Sequence, residues 1–410
     1  MKQRVSCGED AILPSGLHTM RWLSNVRLAD ARRCRHGEER RFRIGIDGDG
    51  DDGRITAVRT METGSAAAGE DWGGDWLSLA GVDLQINGGL GLAFPELTSE
   101  DLPRLEELLE RLWRDGVEAI CPTLVTCGVS SLRQALTVLA EARRRHQPGQ
   151  CRLLGAHLEG PFLAEPRRGA HPAHHLCTPS LEALEERIDG FSGGPDADIA
   201  LMTLAPELEG AGAVIGALRR RNVVVSLGHS TATEVAAREA FTAGVAMVTH
   251  AFNAMGGLHH RAPGPVAAAL LQDGVALGLI ADGVHVAPSM AVLLQRLAPE
   301  RVVVVSDALA PYGLGPGAHR WDERLLIVQD GSCRLEDGTL AGVTLPLLEG
   351  VVRLAGWSGR PAWAIAAATL TPRWVLGERR PLREQLIGRP LTELLRWTPG
   401  SSGLSWTRAA

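Results

Sequence analysis

Residues 152–163 read RLLGAHLEGPFL. The apolar run is too short for a helix and is closed by a Gly-Pro break, so it reads as a buried strand. It ends on His157, Leu158 and Glu159, where a strand that only packs would end in turn residues. The same pattern recurs on both sides. Strand candidates are LAGVDLQ near 79–85, EAICPT at 118–123, IALMTLA at 199–205 and VVVSLG at 223–228. AMVTH at 246–250, VALGLIA at 275–281 and RVVVVS at 301–306 complete a set of eight. Amphipathic stretches separate most of them. In EDLPRLEELLERLWRDG, Leu102, Leu105, Leu109 and Leu112 share one helical face, and Met290, Leu293, Leu294 and Leu297 repeat the spacing. Eight strand–helix units predict a closed (β/α)₈ barrel of the TIM type rather than an open sheet.

Outward from the barrel, residues 21–79 contain short strand-like runs (NVRLAD, RFRIGI, RITAVRT) divided by turns such as DGDGDDG. The expected division is an N-terminal extension over 1–20, part of a small β-sandwich over 21–79 and the barrel over 80–373. A C-terminal segment over 374–410 is too short for its own core and is expected to rejoin the β-sandwich.

The chain has 410 residues, 45% hydrophobic and 22% charged, with a net charge of −6. That balance gives no sign of nucleic-acid or membrane-surface binding. No apolar run approaches the roughly 18 residues of a membrane span, and residues 1–16 lack the apolar core of a secretory signal. The seven cysteines are scattered, odd in number and without a Cys-x-x-Cys pair, which points to a reducing cytoplasm. Cys121 reads as a small core residue.

In barrel enzymes the reacting groups sit at the C-terminal ends of the strands. Here those ends carry Gln85 and Asn87, Glu159, His229, His250, Asp282 with His285, and Asp307. Any one of the histidines reads equally well as a hydrogen-bonded core residue. Glu159, His229 and His250 together make the two-His-one-Glu set of a catalytic metal site that keeps a position open for water. Asp307 is then the natural proton handler, with a second-ligand role as the alternative.

HLEGPFL (157–163), GHSTAT (228–233), THAFNAM (249–255), ADGVHV (281–286) and SDALAPYG (306–313) resemble, in family order, the N-acetylglucosamine-6-phosphate deacetylases of the amidohydrolase superfamily. The similarity runs from about residue 25 to about residue 376. It implies a (β/α)₈ barrel with a β-sandwich built from both chain ends, and hydrolysis of the acetamide of N-acetylglucosamine 6-phosphate. It makes Glu159, His229 and His250 the ligands of one divalent ion per subunit. Zinc fits this set, and iron, cobalt and manganese accept the same ligands. Asp307 becomes the general base and acid, and His285 binds substrate and polarises the acetyl carbonyl. Ala170, His171, Asn253 and Ala254 hold the sugar. Arg261, in GGLHHRAPG (256–264), binds the phosphate, in cis or across a homodimer.

Three features depart from the family pattern. Gln85 and Asn87 replace the histidine pair that many amidohydrolases carry for a second metal, as in single-metal deacetylases. Leu79-Ala80-Gly81 replaces a Pro-Gly before the first strand. Leu340, Ala341, Gly342 and Val343 stand for a small-residue substrate loop in which serine is common at the position of Val343. His259 and His260, beside Arg261, read either as help in phosphate binding or as part of an exposed polar loop, His174 and His175 as solvated, and the ten tryptophans as core or interface residues rather than sugar platforms. The galactosamine analogue remains an alternative substrate. A D-aminoacylase or cyclic-amide hydrolase would leave Arg261 without a purpose, and a non-catalytic barrel would not keep the ligands.

Overall fold

The computed structural model describes residues 20–30, 40–48, 53–62, 69–322 and 324–410. The expected N-terminal extension lies outside the described residues but for Met20, as do Cys7 and Cys34.

All eight strand candidates form strands, in the predicted order. They are β1 (Gly81–Ile86), β2 (Val117–Val125), β3 (Ala156–Glu159), β4 (Ile199–Leu204), β5 (Val224–Leu227), β6 (Met247–Val248), β7 (Ala276–Ile280) and β8 (Val302–Val305). Each pairs in parallel with the next, from β1–β2 through β7–β8. The seam between β8 and β1 is bridged by the Asp307 N–H donating to the Gln85 carbonyl (2.9 Å) and by a parallel bridge of Ile86 with Ala308. Every residue of β2 is buried, as a strand covered on both faces requires. Val82, Leu84, Cys121, Met247 and Val303 meet inside the barrel, and burial pushes the Cys121 thiol well above its ordinary range.

The helix Leu102–Arg114 turns Leu102, Leu105, Leu109 and Leu112 inward, as its spacing predicts, and adds Leu108. The helix Pro288–Leu297 departs from the prediction. Its inner side is Ala291, Leu294 and Gln295, whereas Leu293 and Leu297 are exposed. Small Ala291 lies against the barrel where the longer side chains of Leu293 and Leu297 point away.

A second sheet joins the two chain ends. Arg21–Leu28 pairs with Phe42–Asp47, which pairs with Arg54–Thr60. Trp76–Leu79 links Arg21–Leu28 to the C-terminal strand Leu394–Gly400, which pairs with Gly403–Arg408. One element was not foreseen: after β8, residues 317–343 form a four-stranded antiparallel sheet at the barrel mouth. Leu340–Val343, expected as a loop, is its last strand. No helix among the described residues is long and apolar enough to cross a membrane.

Candidate active site

The strand ends open into a cavity of about 280 Å³ at the C-terminal mouth of the barrel. Glu159 is the last residue of β3, and His229 and His250 lie two residues beyond β5 and β6. Their donor atoms meet. Glu159 Oε1 is 3.2 Å from His229 Nε2 and 3.1 Å from His250 Nε2, and the two ring nitrogens are 3.1 Å apart. All three side chains are buried.

Hydrogen bonding decides which nitrogens are free to bind a cation. His229 Nδ1 faces the Arg167 carbonyl at 2.8 Å. A carbonyl only accepts, so Nδ1 carries the proton and Nε2 keeps its lone pair. His250 Nδ1 is buried without a partner among the described residues, and its Nε2 points into the cluster. Two imidazole nitrogens and a carboxylate oxygen held this close repel one another unless a proton or cation lies between them. Burial pushes the Glu159 carboxyl up, but its bonds to His229 and His250 outweigh that and hold it well below the usual range. The donor set therefore fits a divalent metal ion.

His171 stands on the other side of Glu159, with Nε2 3.9 Å from Oε2 and its ring packed edge-on against His229. By proximity alone, Glu159, His171 and His229 also form a group able to hold a metal. His171 Nδ1 lies 2.9 Å from Thr126 Oγ1, whose own proton goes to the Glu159 carbonyl (3.0 Å), and 3.3 Å from the Thr126 backbone N–H. Burial, then the neighbouring His229, holds this ring well below its ordinary pKa. His171 walls the cavity beside Glu159 and His229. Gly160, at φ +91°, makes this packing possible, since a Cβ there would collide with Thr126 Oγ1.

The two amides at the end of β1 point their nitrogens at the acids. Gln85 Nε2 donates to Glu159 Oε1 (3.2 Å) and Asn87 Nδ2 to Asp307 Oδ1 (2.8 Å). Gln85 Oε1 and Asn87 Oδ1 are buried without partners among the described residues. Asp307 lies two residues beyond β8. Burial, reinforced by the Glu159 charge, raises its pKa to about 7. His229, His250, Ala254 and Asp307 all take positive φ, at 48°, 28°, 52° and 50°. Each such residue costs on the order of 1–3 kcal/mol, and concentrations of this kind mark functional sites.

The remaining predicted residues divide. Ala170, Asn253, Ala254, His285, Leu340 and Ala341 wall the cavity beside the cluster. Gly342 and Val343 stand behind the wall: Val343 is buried, its N–H donating to the Asp307 carbonyl (3.2 Å). Arg261 is exposed on its loop and does not wall the cavity. His259 and His260 are exposed beside it. Sequence reasoning missed two neighbours of the site. Trp321, on the unforeseen sheet, is buried and walls the cavity, with the Arg324 guanidinium 4.1 Å from its ring centre. Arg167 walls it too and orients His229 through its carbonyl. No motif surrounds Trp321 in the sequence, whereas Arg167 lies only eight residues from Glu159.

The human N-acetylglucosamine-6-phosphate deacetylase is 35% identical over 319 residues, covering 75% of this chain and 76% of its own. The N-acetylgalactosamine-6-phosphate deacetylase of Escherichia coli O157:H7 is 37% identical over 298 residues, covering 72% and 77%. Among solved structures, the D267A mutant of the Mycobacterium smegmatis N-acetyl-D-glucosamine-6-phosphate deacetylase, in complex with N-acetyl-D-glucosamine-6-phosphate, superposes with a TM-score of 0.75. It is 26% identical and covers 95% of this chain and 98% of its own. No protein-family model matches the chain. The parallel barrel, with its Glu/His cluster at the mouth and a sheet from both chain ends, is that of an amidohydrolase. More narrowly, the chain belongs to the N-acetylglucosamine-6-phosphate deacetylase family.

Proposed function

We propose that the chain hydrolyses N-acetylglucosamine 6-phosphate to glucosamine 6-phosphate and acetate. The observation that carries this reading is the meeting of Glu159 Oε1, His229 Nε2 and His250 Nε2 within 3.2 Å, in the same cavity as Asp307. Those three residues would hold one divalent ion, zinc in our assignment, although iron, cobalt and manganese accept the same donors. Bound there, the ion supplies Lewis-acid chemistry, polarising the acetyl carbonyl and making water acidic enough to attack near neutral pH.

The protein groups do the rest. Asn253 and Ala254, with Ala170 and His171, position the sugar. His285 meets the acetyl oxygen. Asp307 accepts a proton from water as its oxygen bonds to the acetyl carbon, and delivers a proton to the amine nitrogen as the C–N bond breaks. Asn87 holds Asp307 in register for both transfers. Gln85 and Asn87 offer amides where a second ion would need imidazoles, which supports a single-ion site. Leu340 and Ala341 line the substrate's path, while Gly342 and Val343 support them from behind.

Arg261 binds the 6-phosphate. Its exposed place away from the cavity wall supports delivery from the partner chain of a homodimer. A cytoplasmic setting agrees with the free cysteines among the described residues. A second substrate is favoured by one observation, the 37% identity to the galactosamine enzyme. The test is acetate release from both 6-phosphates and from unphosphorylated N-acetylglucosamine. Hydrolysis of the glucosamine 6-phosphate derivative with the highest kcat/KM is expected. A higher value for the galactosamine derivative would reassign the substrate, and release from neither phosphate would overturn the reading.

A further inference from the structure

The turn that follows β7 contains a pair of its own. Asp282 Oδ1 accepts from the backbone N–H groups of Val284 (2.9 Å) and His285 (2.8 Å), and Oδ2 faces His285 Nδ1 at 2.7 Å. Both side chains are buried, 4% and 5% exposed. Gly283 reverses the chain between them at φ +80°, and a Cβ there would press on the Trp357 ring at 3.3 Å. Behind the turn, Arg353 on the helix Leu347–Ser358 donates to the Asp282 carbonyl (2.7 Å) while Glu349 holds its Nε (3.0 Å). The carboxylate cannot rotate without giving up two backbone bonds.

A carboxylate has no proton to donate. Burial pushes the Asp282 carboxyl up, but its bond to His285, the charge of that ring and the two backbone N–H groups hold it below its ordinary value. An acceptor at Oδ2 therefore requires the proton on Nδ1. In the neutral ring this leaves Nε2 a bare lone pair, which cannot donate to a carbonyl oxygen. Only the doubly protonated ring can. A cationic donor is also suited to an oxygen that gains negative charge as water adds to the acetyl carbon.

We propose that Asp282 is a positioning residue for this reaction: it holds His285 Nδ1–H on its carboxylate and sustains the imidazolium whose Nε2–H donates to the acetyl oxygen. The proposal rests on the reading of His285 as the group that meets that oxygen. The other titratable or charged groups around the ring are Asp307 and His250 across the cavity and Arg353 with Glu349 behind the turn. Asp282 is the carboxylate in hydrogen-bond contact with the ring among the described residues.

The test is Asp282→Asn in the metal-loaded full chain. Its amide oxygen still accepts the two backbone N–H groups, but its NH₂ now faces Nδ1. The ring must accept there, move its single proton to Nε2 and lose its counter-ion. We expect kcat to fall roughly 10- to 100-fold, the scale seen when a carboxylate supporting a functional histidine is removed, with KM little changed. The alkaline fall of kcat/KM should become shallower, since the neutral ring of the variant keeps a proton on Nε2 where that of the wild type has none. In ¹⁵N-histidine NMR, the neutral His285 ring should change from Nδ1–H to Nε2–H. Asp282→Glu, which keeps the carboxylate, should leave the alkaline limb in place and recover part of the rate, and it tests the proposal even if the asparagine variant fails to fold. A rate loss with the pH profile and tautomer of the wild type would make Asp282 merely structural and overturn the proposal. His285→Asn at wild-type kcat would overturn it through its premise, whereas an inactive His285→Asn beside a fully active Asp282→Asn would overturn the proposal alone.

Discussion

Two buried glutamates lie at opposite ends of the barrel, and the difference between them separates a structural charge from a working one. Glu118, at the start of β2, faces the floor. Arg373 Nη2 is 2.7 Å and Arg389 Nη1 3.0 Å from its oxygens, with Arg152 at 3.7 Å. Glu159, at the end of β3, faces the mouth and is ringed by His171, His229 and His250. Both carboxyls are held below their usual range against the upward push of burial, Glu118 by Arg373, Arg389 and Arg152, and Glu159 by its histidine bonds. Burial and a shifted pKa therefore do not distinguish them. The partners do. A guanidinium has donors only and stays charged, so the floor cluster is closed and fastens the C-terminal segment to the barrel. Imidazoles retain lone pairs, and the mouth also keeps the unpartnered oxygens of Gln85 and Asn87. Backbone strain follows the same division: His229, His250 and Asp307 take positive φ, and Glu118, Arg373 and Arg389 do not.

This contrast is open to direct attack by substitution. The largest effect is expected at the mouth. Asp307→Asn keeps the shape and the bond to Asn87 but cannot take up the proton, so kcat for acetate release should fall about 10²–10⁴-fold while the thermal midpoint stays near that of the wild type. A loss of metal with activity restored on adding it back would make Asp307 a ligand instead.

At the floor the signs reverse. Glu118→Leu strands buried Arg373 and should cost about 3–5 kcal/mol in urea unfolding, with kcat of the folded fraction unchanged. The pH dependence follows from the same residue. Its folded pKa lies below the ordinary 4.5, so its stabilisation is complete above that value and is lost as pH falls through the lower, folded-state value. Acid unfolding below about pH 4.5 should therefore be shallower in Glu118→Leu than in the wild type.

A smaller effect is expected at Arg261. Arg261→Ala should lower kcat/KM for the 6-phosphate about 10²-fold, or about 2.7 kcal/mol, and leave unphosphorylated N-acetylglucosamine nearly unchanged. Arg261→Lys should recover only part, because an ammonium keeps the charge but not the fork. Equal losses on both sugars would assign Arg261 to structure or to the dimer interface.

The sequence showed these regions unequally, for physical reasons. Barrel strands are short apolar runs, and their polar termini break the pattern visibly, which is why Glu159, His229, His250 and Asp307 could be selected together. The sheet over residues 317–343 escaped because its one apolar run, residues 325–328, is short and its neighbouring strands, Gly317–Trp321 and Ser332–Leu335, are partly exposed and mixed in polarity. From the sequence, Trp321 therefore reads only as a core or interface residue. In the helix Pro288–Leu297 the leucine spacing misled, because the inward face was set by the small residue Ala291 rather than by the most apolar stripe. The floor cluster was invisible for another reason: Glu118 and Arg373 are 255 positions apart, and no spacing rule joins them.

The central claim is that the mouth works as a deacetylase with one divalent ion. Its most direct test is a titration of metal-stripped protein with zinc, following both bound metal and acetate released from N-acetylglucosamine 6-phosphate. Activity should rise in proportion to occupancy and level off at about one ion per chain. A plateau at two ions, or full activity in the stripped protein, would contradict the account.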